Sequence, residues 1–230
     1  MKKGKLIVIE GTDCSGKETQ TKKLMKRFEE EGIPCESMSF PIYSSPTGRI
    51  VGGPYLGKPE ICESWFSNGA NGTDSKIASL YYAADRRMAL PKMLEILDSG
   101  KHLILDRYVS ANMGHQGGKI RSEIEREKFY EGLENLEHGF LELPQPDLTV
   151  FLYMPYQVGM NLNKGREGKA DGHESSPENL KNAEEAYLQL ADIYDWIRVE
   201  CAPDGTKKSL RTREDIHEEV YKIISRRIIP

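Results

Sequence analysis

Residues 5–20 read KLIVIEGTDCSGKETQ, and this stretch decides the architecture. Leu6 to Ile9 is an unbroken apolar run, mostly β-branched, the pattern of a strand covered on both faces. It leads into Gly11-x-x-x-x-Gly16-Lys17 and then into residues of helical period, Leu24, Met25 and Phe28, closed by Gly32. Strand, glycine-bracketed turn and helix, in that order, are the context in which G-x-x-x-x-G-K holds phosphate. The two glycines let the backbone wrap with its N–H groups inward, and the helix end adds the positive pole of its dipole. The phosphate-holding segment would comprise Gly11, Thr12, Asp13, Cys14, Ser15, Gly16, Lys17, Glu18 and Thr19. Lys17 would span the β- and γ-phosphates of a nucleoside triphosphate and balance charge as a phosphoryl group moves.

One position departs from the pattern. Glu18 stands where a Ser or Thr would ligate Mg²⁺, and Thr19 follows one place later. A carboxylate near triphosphate oxygens repels them unless a cation bridges the two. Either Glu18 binds Mg²⁺, directly or through water, or it faces solvent while waters or Asp106 hold the metal. Cys14 is either a small filler turned away from the phosphates or a thiol with a pKa lowered by the helix N-terminus.

Outward from this loop, strands are expected at Lys5 to Glu10, Pro34 to Ser39, His102 to Asp106, Leu148 to Met154 and Trp196 to Cys201. Helices are expected at Gly16 to Glu31, Thr73 to Ser99, Arg121 to Leu141, Pro177 to Asp195 and Thr212 to Ile224. In the second helix Ile77, Leu80, Tyr81, Ala84 and Met88 form an apolar stripe, and Pro91 predicts a break or bend. In the third, Phe129, Leu133, Leu136 and Phe140 form the apolar face. Strands alternating with helices imply parallel pairing between helical layers, an α/β fold. Two stretches read as mobile loops: Gly52 to Asn71, and a charged segment at Asn163 to Ser176.

The 230 residues suit a single domain, and 38% hydrophobic with 30% charged residues is a globular balance. A net charge of −4 gives no footprint for nucleic acid. The four cysteines show no C-x-x-C pair, which argues against a zinc site or disulfide framework. The apolar run at Leu6 to Ile9 is too short for a signal peptide, and no window approaches a membrane span. The expectation is a cytoplasmic protein.

Six segments in order resemble the thymidylate kinase family of P-loop nucleoside monophosphate kinases: EGTDCSGKETQ (Glu10 to Gln20), FPIYSSPTG (Phe40 to Gly48), YAADRR (Tyr82 to Arg87), LDRY (Leu105 to Tyr108), HQGG (His115 to Gly118) and PDLTVFL (Pro146 to Leu152). The resemblance implies transfer of the ATP γ-phosphate to deoxythymidine monophosphate (dTMP), giving the diphosphate. It implies a three-layer fold with a five-stranded parallel sheet flanked by helices, a short mobile lid, Mg²⁺ dependence and a homodimer.

By the same resemblance Asp13 contacts the acceptor sugar's 3′-hydroxyl, and Phe40 and Pro41 line the base pocket. Tyr82 and Arg86, four apart on one helical face, are suited to stack on a base and bond its edge. Arg107 resembles the arginine that grips the acceptor phosphate, with Asp106 ordering the metal's waters or the acceptor. Three positions differ from many relatives. Tyr43 occupies the place of an arginine, for which Arg49 or Arg87 could substitute. His115, next to Gln116 on the acceptor side, stands where an aromatic abuts the sugar, and Ala111 replaces a serine. From the charged 163–176 segment, Arg166 is the expected lid arginine, stabilising transition-state charge. The competing functions are a kinase for another deoxynucleotide or a deoxynucleoside, and a catalytically silent nucleotide-binding protein.

Overall fold

The computed structural model describes residues 3–163 and 177–228. Its five strands are β1 (Leu6–Gly11), β2 (Cys35–Ser39), β3 (His102–Asp106), β4 (Leu148–Tyr153) and β5 (Ile197–Glu200), in one sheet of order β2-β3-β1-β4-β5. All pairings are parallel. The continuous apolar reading of β1 has a direct cause, since alternate side chains enter different cores. Leu6 and Val8 join Leu103, Leu105, Met93 and Leu190 on one face. Ile7 and Ile9 join Ile104, Leu24, Phe28, Val220 and Ile224 on the other. Helices therefore cover both faces, which makes three layers.

The helices are α1 (Lys17–Glu30), α2 (Pro46–Ile50), α3 (Gly69–Gly72), α4 (Ser75–Asp98), α5 (Val109–Gly117), α6 (Glu123–Glu134), α7 (Tyr156–Asn163), α8 (Pro177–Ile193) and α9 (Arg213–Ile228). Five match the expected helices to within a few residues at most ends. The α1 C-terminus closes through Gly32 at φ 68, with Ile33 N–H donating to Phe28 O at 2.8 Å.

Four expectations need correction. The apolar stripe of α4 does not face the core: Ile77, Leu80 and Met88 are 46, 56 and 55% exposed. The buried face instead carries Ala78, Ala83, Asp85, Arg86, Ala89, Leu90 and Met93, because its charged members are satisfied inside. Asp85 accepts from Ile42 N, Ser45 Oγ and Thr47 Oγ1 at 2.8–2.9 Å, holding the segment after β2. Pro91 does not end α4; it sits on the exposed side, where water can take the carbonyl it leaves without a partner. Gly52 to Asn71 is not structureless. A π-helical turn (Val51–Tyr55) and α3 enclose a small core of Val51, Tyr55, Ala70 and Ala78, with Phe66 against it. The third expected helix is α6 followed by a wider π-helical turn (Asn135–Phe140), which leaves Phe140 80% exposed and buries Glu137 completely.

Besides the short helices α2 and α3, helices α5 and α7 escaped the sequence reading. Helix α7 follows β4 directly. Helix α5, VSANMGHQG, has no apolar period because almost all of it is buried and its faces are small or polar. Its Gly114 is required by close approach, as a Cβ there would lie 2.5 Å from the Tyr187 ring.

Candidate active site

Strand β1 ends beside the ends of β3 and β4, with Ile9 opposite Asp106 and Gly11 opposite Leu152. Ligands collect at such carboxyl ends, where the chain changes direction across the sheet. The loop from Gly11 turns through left-handed conformations at Cys14 (φ 60) and Gly16 (φ 87). A side chain at Gly11 would meet Ser15 Oγ at 2.4 Å and Leu152 O at 2.5 Å. The Thr12 hydroxyl fixes the loop to the end of β4, donating to Met154 O at 2.7 Å and accepting from Met154 N at 2.8 Å. Helix α7 packs so closely on the loop that a Cβ at Gly159 would sit 2.8 Å from Asp13 O.

Lys17 is buried, its ammonium donating to Gly11 O at 2.7 Å and Thr12 O at 2.9 Å. Burial, and then the Arg107 charge, push its pKa down to about 8. Ser15 Oγ and Asp106 Oδ1 are buried with no hydrogen-bond partner among the described residues. A buried hydroxyl in a phosphate loop and a buried carboxylate oxygen at the end of β3 fit a triphosphate and a hydrated Mg²⁺. Burial pushes the Asp106 carboxyl up, against the pull of Lys17 and Arg107. Glu18 is placed differently from a direct ligand: it pairs with Lys22 on the outer face of α1, and its side chain is 74% exposed. Thr19 is half-buried beside it. Among the described residues, no three His, Cys, Asp or Glu side chains form a ready metal cluster.

Arg107 adopts φ 67, a strained conformation for a side chain of its size. The chain on either side is anchored: Arg107 N–H bonds Ile9 O, and Tyr108 N–H donates to Glu10 Oε1 at 3.0 Å. Glu10 is fully buried at the end of β1 and also accepts from Ser110 Oγ at 2.8 Å, holding the start of α5. A charged residue closing an apolar strand was the available signal for Glu10, and it went unread. The Arg107 guanidinium lies 2.8 Å from His115 Nε2 and 3.5 Å from Asp13 Oδ1. Guanidinium can only donate, so Nε2 accepts and the ring is neutral in this geometry. Burial opposes ionisation of Asp13, while a charged His115, Arg107 and Lys17 favour it; with the imidazole neutral, only the two cations remain on that side.

Next to Asp13 opens a cavity of about 390 Å³. Every expected acceptor residue lines it: Asp13, Phe40, Pro41, Tyr43, Tyr82, Arg86, Arg107, His115 and Gln116. The Phe40–Pro41 peptide is cis. Sequence reading missed Asn112, which shares the wall with Ala111. Arg86 is a wall residue but not a loosely solvated one. Its Nε and Nη2 donate to Glu137 at 2.5 and 2.6 Å, and the pair is buried. Arg49 and Arg87 are not in the wall; Arg87 donates to Leu141 O, and the cation over the Tyr43 ring is Lys58, 4.8 Å from its centroid. Residues 164–176, with Arg166, lie outside the described residues.

A family model described as thymidylate kinase matches residues 9–209, which span the loop, Arg107 and the whole cavity. The chain belongs to the thymidylate kinase family. The thymidylate kinase of Danio rerio is 27% identical over 99% of this chain and 92% of its own length. That of Homo sapiens is 31% identical over 75% of this chain and 69% of its own. The solved structure of the Candida albicans thymidylate kinase matches with a TM-score of 0.71 at 21% identity, covering 97% of this chain and 92% of that one. The last likeness speaks for the fold. Tyr43, Ala111 and His115, the three positions expected from the resemblance to differ from many relatives, all line the cavity.

Proposed function

We propose that the chain is an ATP:dTMP phosphotransferase, and one observation carries the reading. Asp13 belongs both to the phosphate loop and to the cavity, and it meets Arg107 there, so donor and acceptor sites share a wall. Loop amides and Lys17 hold the ATP β- and γ-phosphates. Arg107 presents its outer N–H groups to the acceptor phosphate, an oxygen of which attacks the γ-phosphorus as the bridging oxygen leaves with ADP. Asp13, ionised at neutral pH, accepts from the 3′-hydroxyl. Tyr82 and Phe40 flank the base, Arg86 and Asn112 meet its edge, and His115 and Gln116 border the sugar. Bound Mg²⁺ would neutralise charge on the β- and γ-oxygens. Asp106 is the carboxylate suited to hold its water shell, and Glu18 is left to its surface pair with Lys22.

A homodimer is part of the proposal: the exposed apolar stripe of α4 suits a second copy. Among the described residues no helix is long and apolar enough to cross a membrane. A cytoplasmic location is part of the proposal, since four scattered cysteines with no C-x-x-C pair suit a reducing compartment. A coupled ADP-release assay with dTMP, dUMP, dCMP and dGMP, with and without Mg²⁺, tests the reading. ADP formation with dTMP that depends on Mg²⁺ is expected. Nucleotide binding without turnover on any acceptor would sink it in favour of the silent binder.

A further inference from the structure

The base end of the acceptor cavity is organised by a residue outside its wall. Glu137 is wholly buried in the π-helical turn after α6, a type of turn that concentrates at functional sites. Its two oxygens take Arg86 Nε and Nη2 in a fork, and Oε1 also lies 3.4 Å from Asn112 Nδ2. The other neighbour of Asn112 Nδ2 is Ser79 O, at 3.4 Å. Both neighbours are acceptors. Only the NH₂ end of the amide can face them, since turning it over would set Oδ1 against a carboxylate and a carbonyl oxygen. Oδ1 has no partner among the described residues, so an acceptor is what Asn112 has to offer the cavity it lines. Arg86 has Nη1 against Tyr108 O at 3.4 Å, and its remaining N–H groups are donors for the same space.

We infer that Glu137 is a positioning residue for acceptor specificity: by holding Arg86 and Asn112 together it fixes a donor beside an acceptor, the complement of an imide edge. Thymine and uracil present that edge, a ring N–H next to a carbonyl. Cytosine presents the reverse, a ring nitrogen that accepts and an exocyclic amine that donates, so both contacts fail. Leaving buried polar groups without partners is the strongest form of discrimination a pocket has. A glutamine at this position has an NH₂ end that cannot accept from Arg86, so the fork is broken and the donor and acceptor lose their common anchor. The inference rests on the cavity being the acceptor site proposed above.

The test compares kcat/KM for dTMP and dCMP in the full chain and in two variants. Glu137→Gln removes the charge. Glu137→Asp keeps the charge, and so offsets Arg86 if the first variant does not fold, but is too short to span both partners. The dTMP:dCMP ratio is expected to fall tenfold or more in whichever variant folds, with most of the dTMP loss in KM and dCMP turnover kept or raised. A parallel drop with both acceptors, as a structural role predicts, or a ratio changed less than tenfold, overturns the inference. If the wild-type protein phosphorylates dTMP with no preference over dCMP, the imide-edge inference falls while the acceptor site stands; if it turns over neither, the acceptor reading itself falls and takes this one with it. A wild-type preference that the variants retain overturns only the role of Glu137.

Discussion

Lys17 is held in its loop by two main-chain carbonyls, and burial has already lowered its affinity for a proton. With a pKa of about 8 the ammonium charge is lost within an accessible range. ATP affinity measured by calorimetry should weaken as pH rises from 7 to 9, and Lys17→Arg should flatten that dependence. Stability moves the other way. Between about 8 and the ordinary 10.5 the native protein binds fewer protons than the unfolded chain, so the penalty for burying this group is relieved as pH rises through that window. Arg107→Met removes charge-assisted bonds worth about 2 kcal/mol, or roughly 30-fold, and should raise KM for dTMP more than KM for ATP in steady-state kinetics. Lys17, Asp13 and Arg107 were legible because each sits at a fixed offset from a strand end. Glu137 was not, since its partner is 51 residues away and it faces inward only because a helical turn widens.

Among the elements, the long helix α4 shows where periodicity misleads. Its apolar stripe is real, but a buried carboxylate and guanidinium took the inner face, so the sequence pattern marked the surface instead. Leu80→Glu should turn the proposed dimer into a monomer in light scattering while leaving it folded. An unchanged mass would remove the stripe as the contact. Helix α5 carries Ala111, Asn112, His115 and Gln116 of the cavity wall yet has no amphipathic signal, because glycines and polar residues pack there against Tyr187 and Tyr130. Gly114→Ala should lower stability by about 1–3 kcal/mol in urea melts, as the Tyr187 ring cannot yield without disturbing His115, 5.6 Å from it between centroids.

At the scale of the whole molecule, the sheet divides the apolar interior in two. Met93 lies in one half and Ile224 in the other, both fully buried. Truncating each to alanine should cost about 2–5 kcal/mol, and the double variant should equal the sum to within about 0.5 kcal/mol in equilibrium unfolding. Parallel layering was readable from continuous apolar strands, whereas strand order rests on contacts that no local pattern encodes. The same holds for the nucleotide loop, whose Thr12 hydroxyl is pinned to Met154 from 142 residues away. Its shape is therefore not a property of its own few residues. On the ribosome, a nascent chain that has not yet delivered β4 carries the glycines and the lysine but lacks the anchor that sets their spacing, so nucleotide capture should come late in synthesis.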